Sequence, residues 1–258
     1  MQMTPTSNPK SANQLKEALG LAIANRFKSN ACIACGTGST VDTCFPHIKS
    51  ALTSGLLKEV SIMATSVETE ERAKDAGCRI ISVNGECNFD WGFDGADVVL
   101  IPEQKLATGQ RYSVIKGGGG AHYRERLVAD QLLLQNKPYV IIADHTKVVS
   151  KDLAQGNFPV PVEIEKSAKH YVTTFLKNQL GATTVTERPR ENAKYGRDCF
   201  DIRGNLILDA TFTSIPTGLS DRINGITGVL TCGLFEHYAS EILIAEKDGR
   251  ITSHTATA

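Results

Sequence analysis

The chain has 258 residues, and its hydrophobic fraction of 41% is enough for a large core. Its 28 Lys and Arg residues balance its 28 Asp and Glu residues, so no net charge exists to attract nucleic acid or an anionic membrane. The longest apolar runs, such as residues 138–143, fall far short of the ~20 residues that a membrane-spanning helix needs. These properties predict a globular protein with neither a nucleic-acid nor a membrane partner.

The N-terminal segment and the cysteines both indicate a cytoplasmic protein. Residues 1–12 are polar and lack the apolar stretch of a signal peptide, so we predict that they are disordered. The seven cysteines are scattered over apolar segments, which predicts reduced, buried thiols for most of them. Cys32 and Cys35 have the C-x-x-C spacing, but no second pair or nearby histidine accompanies them. We therefore favour a core role over a metal or redox site.

The first third of the chain alternates predicted helices with short apolar strands. Apolar residues from Leu15 to Phe27 have helical spacing, and the run at 31–35 predicts a buried strand. The following predicted elements are a glycine-rich turn at 36–40, a helix at 41–49, a strand at 60–64, a helix at 68–76 and a strand at 78–83. This alternation predicts an α/β fold with an open, mostly parallel sheet flanked by helices.

The remainder of the chain continues this pattern and then changes character. A strand at 98–101, a loop or hairpin at 103–111, a helix at 122–135 and a strand at 138–143 are predicted in that order. In FPVPVE (158–163), prolines two residues apart predict an extended segment at a sheet edge. The elements predicted next are a helix at 167–180 and strands at 183–186, 199–202 and 206–213. We predict a large α/β domain from residues 1–156 and 234–258, and a smaller α+β domain from 157–233.

The motif GTGST (36–40) joins a predicted strand to a predicted helix. Glycine allows close backbone approach there, and N–H groups with hydroxyls suit a phosphate or a carbohydrate hydroxyl. A tight turn with helix-capping hydroxyls explains the motif equally well. The chain has neither a P-loop nor a dinucleotide fingerprint, so ATP and NAD are not expected as cofactors.

Three further motifs carry charged side chains at the ends of predicted strands. DGAD (94–97) places two carboxylates close together, which separates their proton affinities, although an Asp-Gly turn explains DG alone. Lys147 in ADHTK (143–147) points from the carboxyl edge of a sheet, where ligands bind in open α/β folds. Near these motifs, His122 and His145 are expected to be solvated or packing residues.

The run KGGGGAHYRE (116–125) contains four consecutive glycines, which neither helix nor strand propensity explains. The glycine N–H groups can stabilise a developing oxyanion beside the Lys116 cation. Glu125 lies nine residues after this lysine, where a neighbouring positive charge can hold it ready as a base. A flexible loop before a surface helix is the alternative, but such loops usually mix glycine with Ser, Asn or Asp.

Together these motifs resemble type A ribose-5-phosphate isomerases. The shared motifs are GTGST, DGAD, KGGG with a glutamate nine residues after its lysine, ADHTK and FPVPVE, and further matches are residues 64–77 and 227–235. The similarity covers most of the chain. It implies interconversion of ribose 5-phosphate and ribulose 5-phosphate through an enediolate, in the non-oxidative pentose phosphate pathway. It also implies a homodimer that needs no metal or other cofactor.

The resemblance also implies roles for individual residues in the larger, catalytic domain. Glu125 would move the proton between C2 and C1, while Asp94, with Asp97 beside it, would assist proton transfer at the sugar oxygens and ring opening. Lys116 and the amides of Gly117, Gly118 and Gly119 would stabilise the enediolate oxygen. The substrate-binding residues would be Thr37, Gly38, Ser39, Thr40, Gly95, Ala96 and Lys147, with a phosphate contact from Lys16.

Two departures from the family pattern concern the substrate. Val98 stands where family members usually have glutamate, and Tyr123 lies in an aromatic-bearing segment after the glycines. Both lie near the predicted pocket, so an isomerase of another aldose phosphate is one alternative. A non-catalytic sugar-phosphate sensor of the same fold is a second alternative, although the candidate Glu, Asp and Lys residues are all present.

Overall fold

The computed structural model of the chain describes residues 9–102, 106–150, 157–189, 191 and 205–256. In these ranges the α-helices are α1 (Ala12–Ala24), α2 (Phe45–Thr53), α3 (Val67–Asp75), α4 (His122–Leu134), α5 (Lys169–Asn178) and α6 (Leu219–Asn224). Helix α1 begins with a capping box, in which Ser11 and Gln14 each accept a hydrogen bond from the other's backbone N–H. In this part of the chain no helix is long and apolar enough to cross a membrane.

The β-strands of the described residues form three sheets. They are β1 (Cys32–Cys35), β2 (Ser61–Ala64), β3 (Arg79–Ile80), β4 (Trp91–Gly95), β5 (Val98–Ile101), β6 (Tyr112–Ile115), β7 (Tyr139–Asp144), β8 (Val148–Ser150), β9 (Phe158–Ile164), β10 (Thr184–Glu187), β11 (Leu206–Phe212), β12 (Val229–Cys232), β13 (Leu234–Ala239), β14 (Glu241–Ala245) and β15 (Ile251–Thr255).

The largest sheet has the strand order β15-β14-β7-β4-β1-β2-β3. All neighbouring strands in it are parallel except the antiparallel pair β14 and β15. Side chains alternate across it, so Ile33 packs with α1, α2 and α3 on one face, and Ala34 packs with α4 on the other. The predicted α/β fold with an open, mostly parallel sheet flanked by helices is confirmed.

A second sheet is antiparallel, with the order β10-β11-β9-β12, and shares a hydrophobic cluster with α5 and α6. Its strands lie between Phe158 and Cys232, and the predicted strand at 199–202 lies outside the described residues. The division into domains at 156/157 and 233/234 stays a prediction.

Strand β9 does not lie at an edge of this sheet, so the prediction from its two prolines was wrong. It lies between β11 and β12. The carbonyl of Pro161 accepts a bond from Gly233 N–H, so Pro161 and Pro159 both turn their nitrogens away from β11. On that side β12 pairs only with residues 162–164, so neither proline removes a hydrogen bond from the ladder.

The third sheet has the order β13-β6-β5-β8 and packs with α4 against the large sheet. In the C-terminal segment, β14 and β15 belong to the large sheet, whereas β13 pairs with β6 in the third sheet. Strand β6 leads directly into the glycine run, so this run starts from the third sheet rather than from the large one.

The cysteines follow the prediction with one exception. Cys35, Cys44, Cys78 and Cys232 are free and buried, and burial raises the pKa of each thiol. Cys32, however, forms a disulfide with Cys87, so these two are not reduced thiols. The partner lies 55 residues away in the segment before β4, and sequence spacing does not show that this segment returns to the start of β1. Cys199 lies outside the described residues.

Candidate active site

The ends of strands β1, β4, β6 and β7 meet around one cleft of about 170 Å³. Its lining residues are 37–41, 95–97, 116–119, 121, 125 and 147. Every residue predicted for the site lines this cleft except Asp94, which lies buried behind it, and Lys16, which contacts the lining residue Ser39. Val41 and Ala121 also line it and were not predicted. The structure therefore brings together motifs that are far apart in the sequence.

Lys116 lies at the base of the cleft and is 2% exposed. Its Nζ is 2.9 Å from Asp94 Oδ2 and 3.5 Å from Glu125 Oε1, and it donates to the Gly95 carbonyl at 2.5 Å. Burial acts to lower the pKa of Lys116, but the charges of Asp94 and Glu125 outweigh it and the pKa is raised. Lys116 is therefore a fixed cation beside two carboxylates.

Asp94 is fully engaged in hydrogen bonds. Its Oδ1 accepts from the N–H groups of Thr37 (3.1 Å) and Gly95 (2.7 Å), and its Oδ2 accepts from Lys116 and from the Tyr139 hydroxyl at 3.1 Å. Burial raises the pKa of Asp94, and the Lys116 charge opposes that rise. This carboxylate therefore fixes the positions of Lys116 and of the turn after β1.

Glu125 lies in the first turn of α4, as predicted, and is 4% exposed. Its Oε1 faces Lys116, while its Oε2 has no hydrogen-bond partner among the residues that the structure describes. Burial raises the pKa of Glu125 to about 8, although the Lys116 charge acts to lower it. A carboxyl group with this pKa can both take and return a proton near neutral pH.

Residues 117–120, here called the glycine loop, connect β6 to α4 and adopt a conformation that side chains oppose. Gly117 has φ +97°, and a Cβ there would lie 2.8 Å from the side chain of His122. The N–H of Gly118 donates to Asp97 Oδ2 at 2.7 Å. His122 is buried, and burial together with nearby cations lowers its pKa to about 3, so it is a neutral packing residue.

The turn after β1 and Lys147 also line the cleft, and Lys16 contacts this turn from outside the lining. Thr37 Oγ1 lies 2.7 Å from Thr65 Oγ1, which holds the turn against the start of α3. Lys16 of α1 donates to Ser39 Oγ at 2.9 Å, and Lys147 donates to the Ala96 carbonyl at 2.9 Å. Hydroxyls and an ammonium group that line the cleft, with a second ammonium group beside Ser39, suit a phosphate.

Sequence reasoning missed two residues that contact the site residues from outside the motifs. Tyr139 donates to Asp94, and Arg188 donates to two carbonyls of the glycine loop. The sequence contains no local signal for either contact, because each joins residues at least 45 positions apart.

Val98 and Tyr123, which the sequence placed near the pocket, do not line the cleft. Val98 lies in β5, and Tyr123 lines a different depression beside Arg124 and Leu127. The structure therefore removes the reason to expect a different sugar from these two positions. The described ranges contain no group of three or more His, Cys, Asp or Glu side chains arranged to hold a metal ion.

Comparison with known proteins agrees with the motifs. The family model for ribose 5-phosphate isomerase A (phosphoriboisomerase A) matches residues 61–249. The protein named ribose-5-phosphate isomerase A of Trichormus variabilis is 34% identical over 251 residues, which are 96% of this chain and 98% of that protein. The one of Synechococcus sp. (strain WH7803) is 31% identical over 244 residues, 93% of this chain and 94% of the relative.

Solved structures show the same fold. The ribose 5-phosphate isomerase of Plasmodium falciparum is 29% identical, with a TM-score of 0.76 over 94% of this chain and 98% of that one. A D-ribose-5-phosphate isomerase solved in complex with phospho-erythronic acid is 23% identical, with a TM-score of 0.79 over 95% of this chain and 100% of that one, and shows the shared fold. The chain belongs to the ribose 5-phosphate isomerase A family.

Proposed function

We propose that the protein interconverts ribose 5-phosphate and ribulose 5-phosphate through an enediolate, as part of the non-oxidative pentose phosphate pathway. The observation that carries the proposal is the pairing of Glu125 with Lys116 in the cleft. One carboxylate oxygen has no partner among the described residues, and a fixed cation lies 3.5 Å from the other. An isomerase of this kind needs a base for the C2 proton and positive potential at the enediolate oxygens.

In the proposed reaction, Glu125 takes the proton from C2 of the open-chain aldose. The C2–H electrons form the enediolate double bond, and negative charge develops on the oxygen at C1. Lys116 and the N–H groups of the glycine loop stabilise that charge. Glu125 then returns the proton to C1, while a proton moves between the two oxygens. No electron leaves the sugar, so the balanced step needs no redox cofactor.

The other residues divide between binding and positioning. We assign the phosphate to residues 37–40 and Lys147, with Lys16 beside Ser39, because hydroxyls and ammonium groups converge there. Asp97 lines the cleft and is exposed, so it can reach the sugar oxygens during ring opening. Asp94 accepts four bonds, and we propose that it assists proton transfer by holding Lys116.

The test is to assay ribose 5-phosphate isomerisation for the wild-type protein and for Glu125→Gln. We expect Glu125→Gln to lower kcat by at least about 10²-fold, because the amide cannot accept the C2 proton. The matched control is Glu70→Gln on the exposed face of α3, which should keep wild-type activity. Retained activity in folded Glu125→Gln would contradict the assignment of the base.

Asp94→Asn should lower kcat in the same assay, because it weakens the hold on Lys116.

Assembly and location are part of the same proposal. We propose a homodimer in the cytoplasm, and light scattering of the purified protein tests the first part. A solution mass of one chain would contradict it.

A further inference from the structure

Arg188 follows β10 in the antiparallel sheet, yet its guanidinium reaches the glycine loop of the cleft. It is 9% exposed. Its Nη1 donates to the carbonyl oxygen of Gly117 at 2.6 Å and to that of Gly118 at 3.1 Å. Charge-assisted hydrogen bonds of this length are among the stronger polar contacts in a protein.

Residues of β11 fix the position of the guanidinium. The Arg188 backbone N–H donates to the Ile207 carbonyl at 2.8 Å, so the residue extends the pairing of β10 with β11. Its Nε donates to Asp209 Oδ2 at 2.8 Å, and its Nη2 donates to Asp209 Oδ1. Two bonds to one carboxylate hold the planar group in one orientation, which leaves Nη1 directed at the loop.

The geometry of the peptide bond carries this orientation into the cleft. In a planar trans peptide, the carbonyl of one residue and the N–H of the next point in opposite directions. The bond from Arg188 to the Gly117 carbonyl therefore directs the Gly118 N–H away from Arg188, and this N–H donates to Asp97. The bond to the Gly118 carbonyl likewise turns the Gly119 N–H away from Arg188.

Gly119 lines the cleft, and none of the groups that the structure describes accepts a hydrogen bond from its N–H. This donor therefore remains available to a charge that develops on the substrate. Glycines have no side chain to fix their orientation, and their backbone adopts many conformations at low energy. Within the loop the Gly120 N–H donates to the Gly117 carbonyl at 3.0 Å, and from outside it the two bonds from Arg188 and the packing of Gly117 against His122 hold the backbone.

We infer that Arg188 is a positioning residue for the isomerase reaction: through the Gly117 and Gly118 carbonyls it aims the Gly119 N–H at the enediolate and holds the Gly118 N–H on Asp97. The inference rests on the proposed function of the cleft. The antiparallel sheet then takes part in the chemistry, because Arg188 directly follows β10 and Asp209 lies in β11.

The test compares Arg188→Ala and Arg188→Lys with Arg222→Ala, an exposed arginine of the same region that donates to the Gln179 carbonyl. We expect kcat for ribose 5-phosphate to fall by about 10²-fold in Arg188→Ala, similar to loss of one oxyanion donor, with KM changed by less than about threefold. Arg188→Lys should recover little, since an ammonium cannot bond Asp209 and both carbonyls together. Millimolar methylguanidinium should restore part of kcat in Arg188→Ala, and methylammonium should not.

A binding measurement separates this inference from the proposed function. Phospho-erythronate carries a carboxylate in place of the C2 centre, and calorimetry compares its affinity with that of inorganic phosphate. In Arg188→Ala we expect phospho-erythronate to lose affinity by at least about tenfold, and phosphate to bind as in the wild type.

Each outcome decides one of the two proposals. If the wild-type protein does not turn over ribose 5-phosphate, the proposed function fails, and the binding difference still tests Arg188. If the wild type is active and Arg188→Ala has wild-type kcat and phospho-erythronate affinity, the inference is wrong, even if its Tm is lower. Where Arg188→Ala does not fold, Asp209→Asn replaces it, and wild-type kcat and phospho-erythronate affinity in that variant would also overturn the inference.

Discussion

The two oxygens of Glu125 have different surroundings, and this difference suits a group that moves one proton twice. Oε1 faces Lys116 at 3.5 Å, whereas Oε2 is buried and has no partner among the described residues. Burial acts on the whole carboxyl and raises its pKa, while the lysine charge limits the rise. The group is therefore basic enough to take a carbon-bound proton and acidic enough to return it.

The pH dependence of kcat/KM tests this balance. Only the ionised form of Glu125 accepts the C2 proton, and burial raises its pKa to about 8. We expect kcat/KM to rise up to about tenfold per pH unit below pH 8 and to level off above it, because the proton leaves as pH increases. Measurement between pH 6.5 and 9.5 avoids the phosphate of the substrate, whose second pKa is about 6. A flat profile over this range would contradict the raised pKa.

At the residue scale, the sequence predicts what is local and misses what is distant. Lys116 and Glu125 are nine positions apart along a loop and a helix start, so their proximity follows from the motif itself. The contacts of Tyr139 with Asp94 and of Arg188 with Gly117 depend on how whole strands are placed. A single sequence carries no signal for such contacts, because nothing in the residues next to this tyrosine or this arginine indicates a distant partner.

The glycine loop is the element in which backbone conformation and chemistry depend most directly on each other. It leaves β6 of the third sheet and enters α4, which packs against the large sheet. The loop therefore connects the third sheet to a helix that packs on the large sheet. Arg188, which follows a strand of the antiparallel sheet, donates hydrogen bonds to it. Gly117 in this loop has a φ of +97°, a backbone conformation that L-residues rarely adopt.

Gly117→Ala is expected to lower kcat by at least about tenfold, because the new Cβ would lie 2.8 Å from His122 and the backbone would have to shift. Gly109→Ala is the matched control. Gly109 has φ +79° and open space around its Cβ position, so it shares the conformational strain without the clash. Steady-state kinetics and thermal unfolding of both variants separate the two effects. Equal losses of activity in both would contradict a specific role for the loop.

Strand β9 shows why element positions are harder to predict than element types. The pattern FPVPVE correctly predicts an extended segment, and the prolines correctly indicate two positions at which no neighbouring strand needs a backbone N–H donor. An edge strand and an inner strand whose neighbour is short both satisfy that condition. The sequence does not state the length of β12, which decides between them.

On the scale of the whole molecule, the segment after α1 contacts the last two strands of the large sheet. Arg26, just after α1, donates through Nη1 and Nη2 to both carboxylate oxygens of Glu241 at 2.7 and 2.8 Å. Glu241 also accepts from Ser253 of β15 at 2.7 Å. This carboxylate therefore links the N-terminal helix to the two C-terminal strands. Helix α1 also carries Lys16, whose Nζ reaches Ser39 in the cleft.

Glu241→Gln should lower the free energy of unfolding by about 1 kcal/mol at neutral pH and Tm by about 2–4 °C, since the bidentate pair is only partly buried.

The bond from Arg26 lowers the pKa of Glu241 below its ordinary value of 4.5. The stabilisation is therefore present above pH 4.5 and is lost as pH falls through the lowered pKa. Thermal unfolding of both proteins from pH 7 downwards should show their Tm values converging at acid pH. Asp248→Asn, in the exposed turn after β14, is the control and should change Tm at neutral pH by less than Glu241→Gln does, because solvent screens its pair with Arg250. A Tm difference between Glu241→Gln and wild type that grew on acidification would contradict this role of the pair.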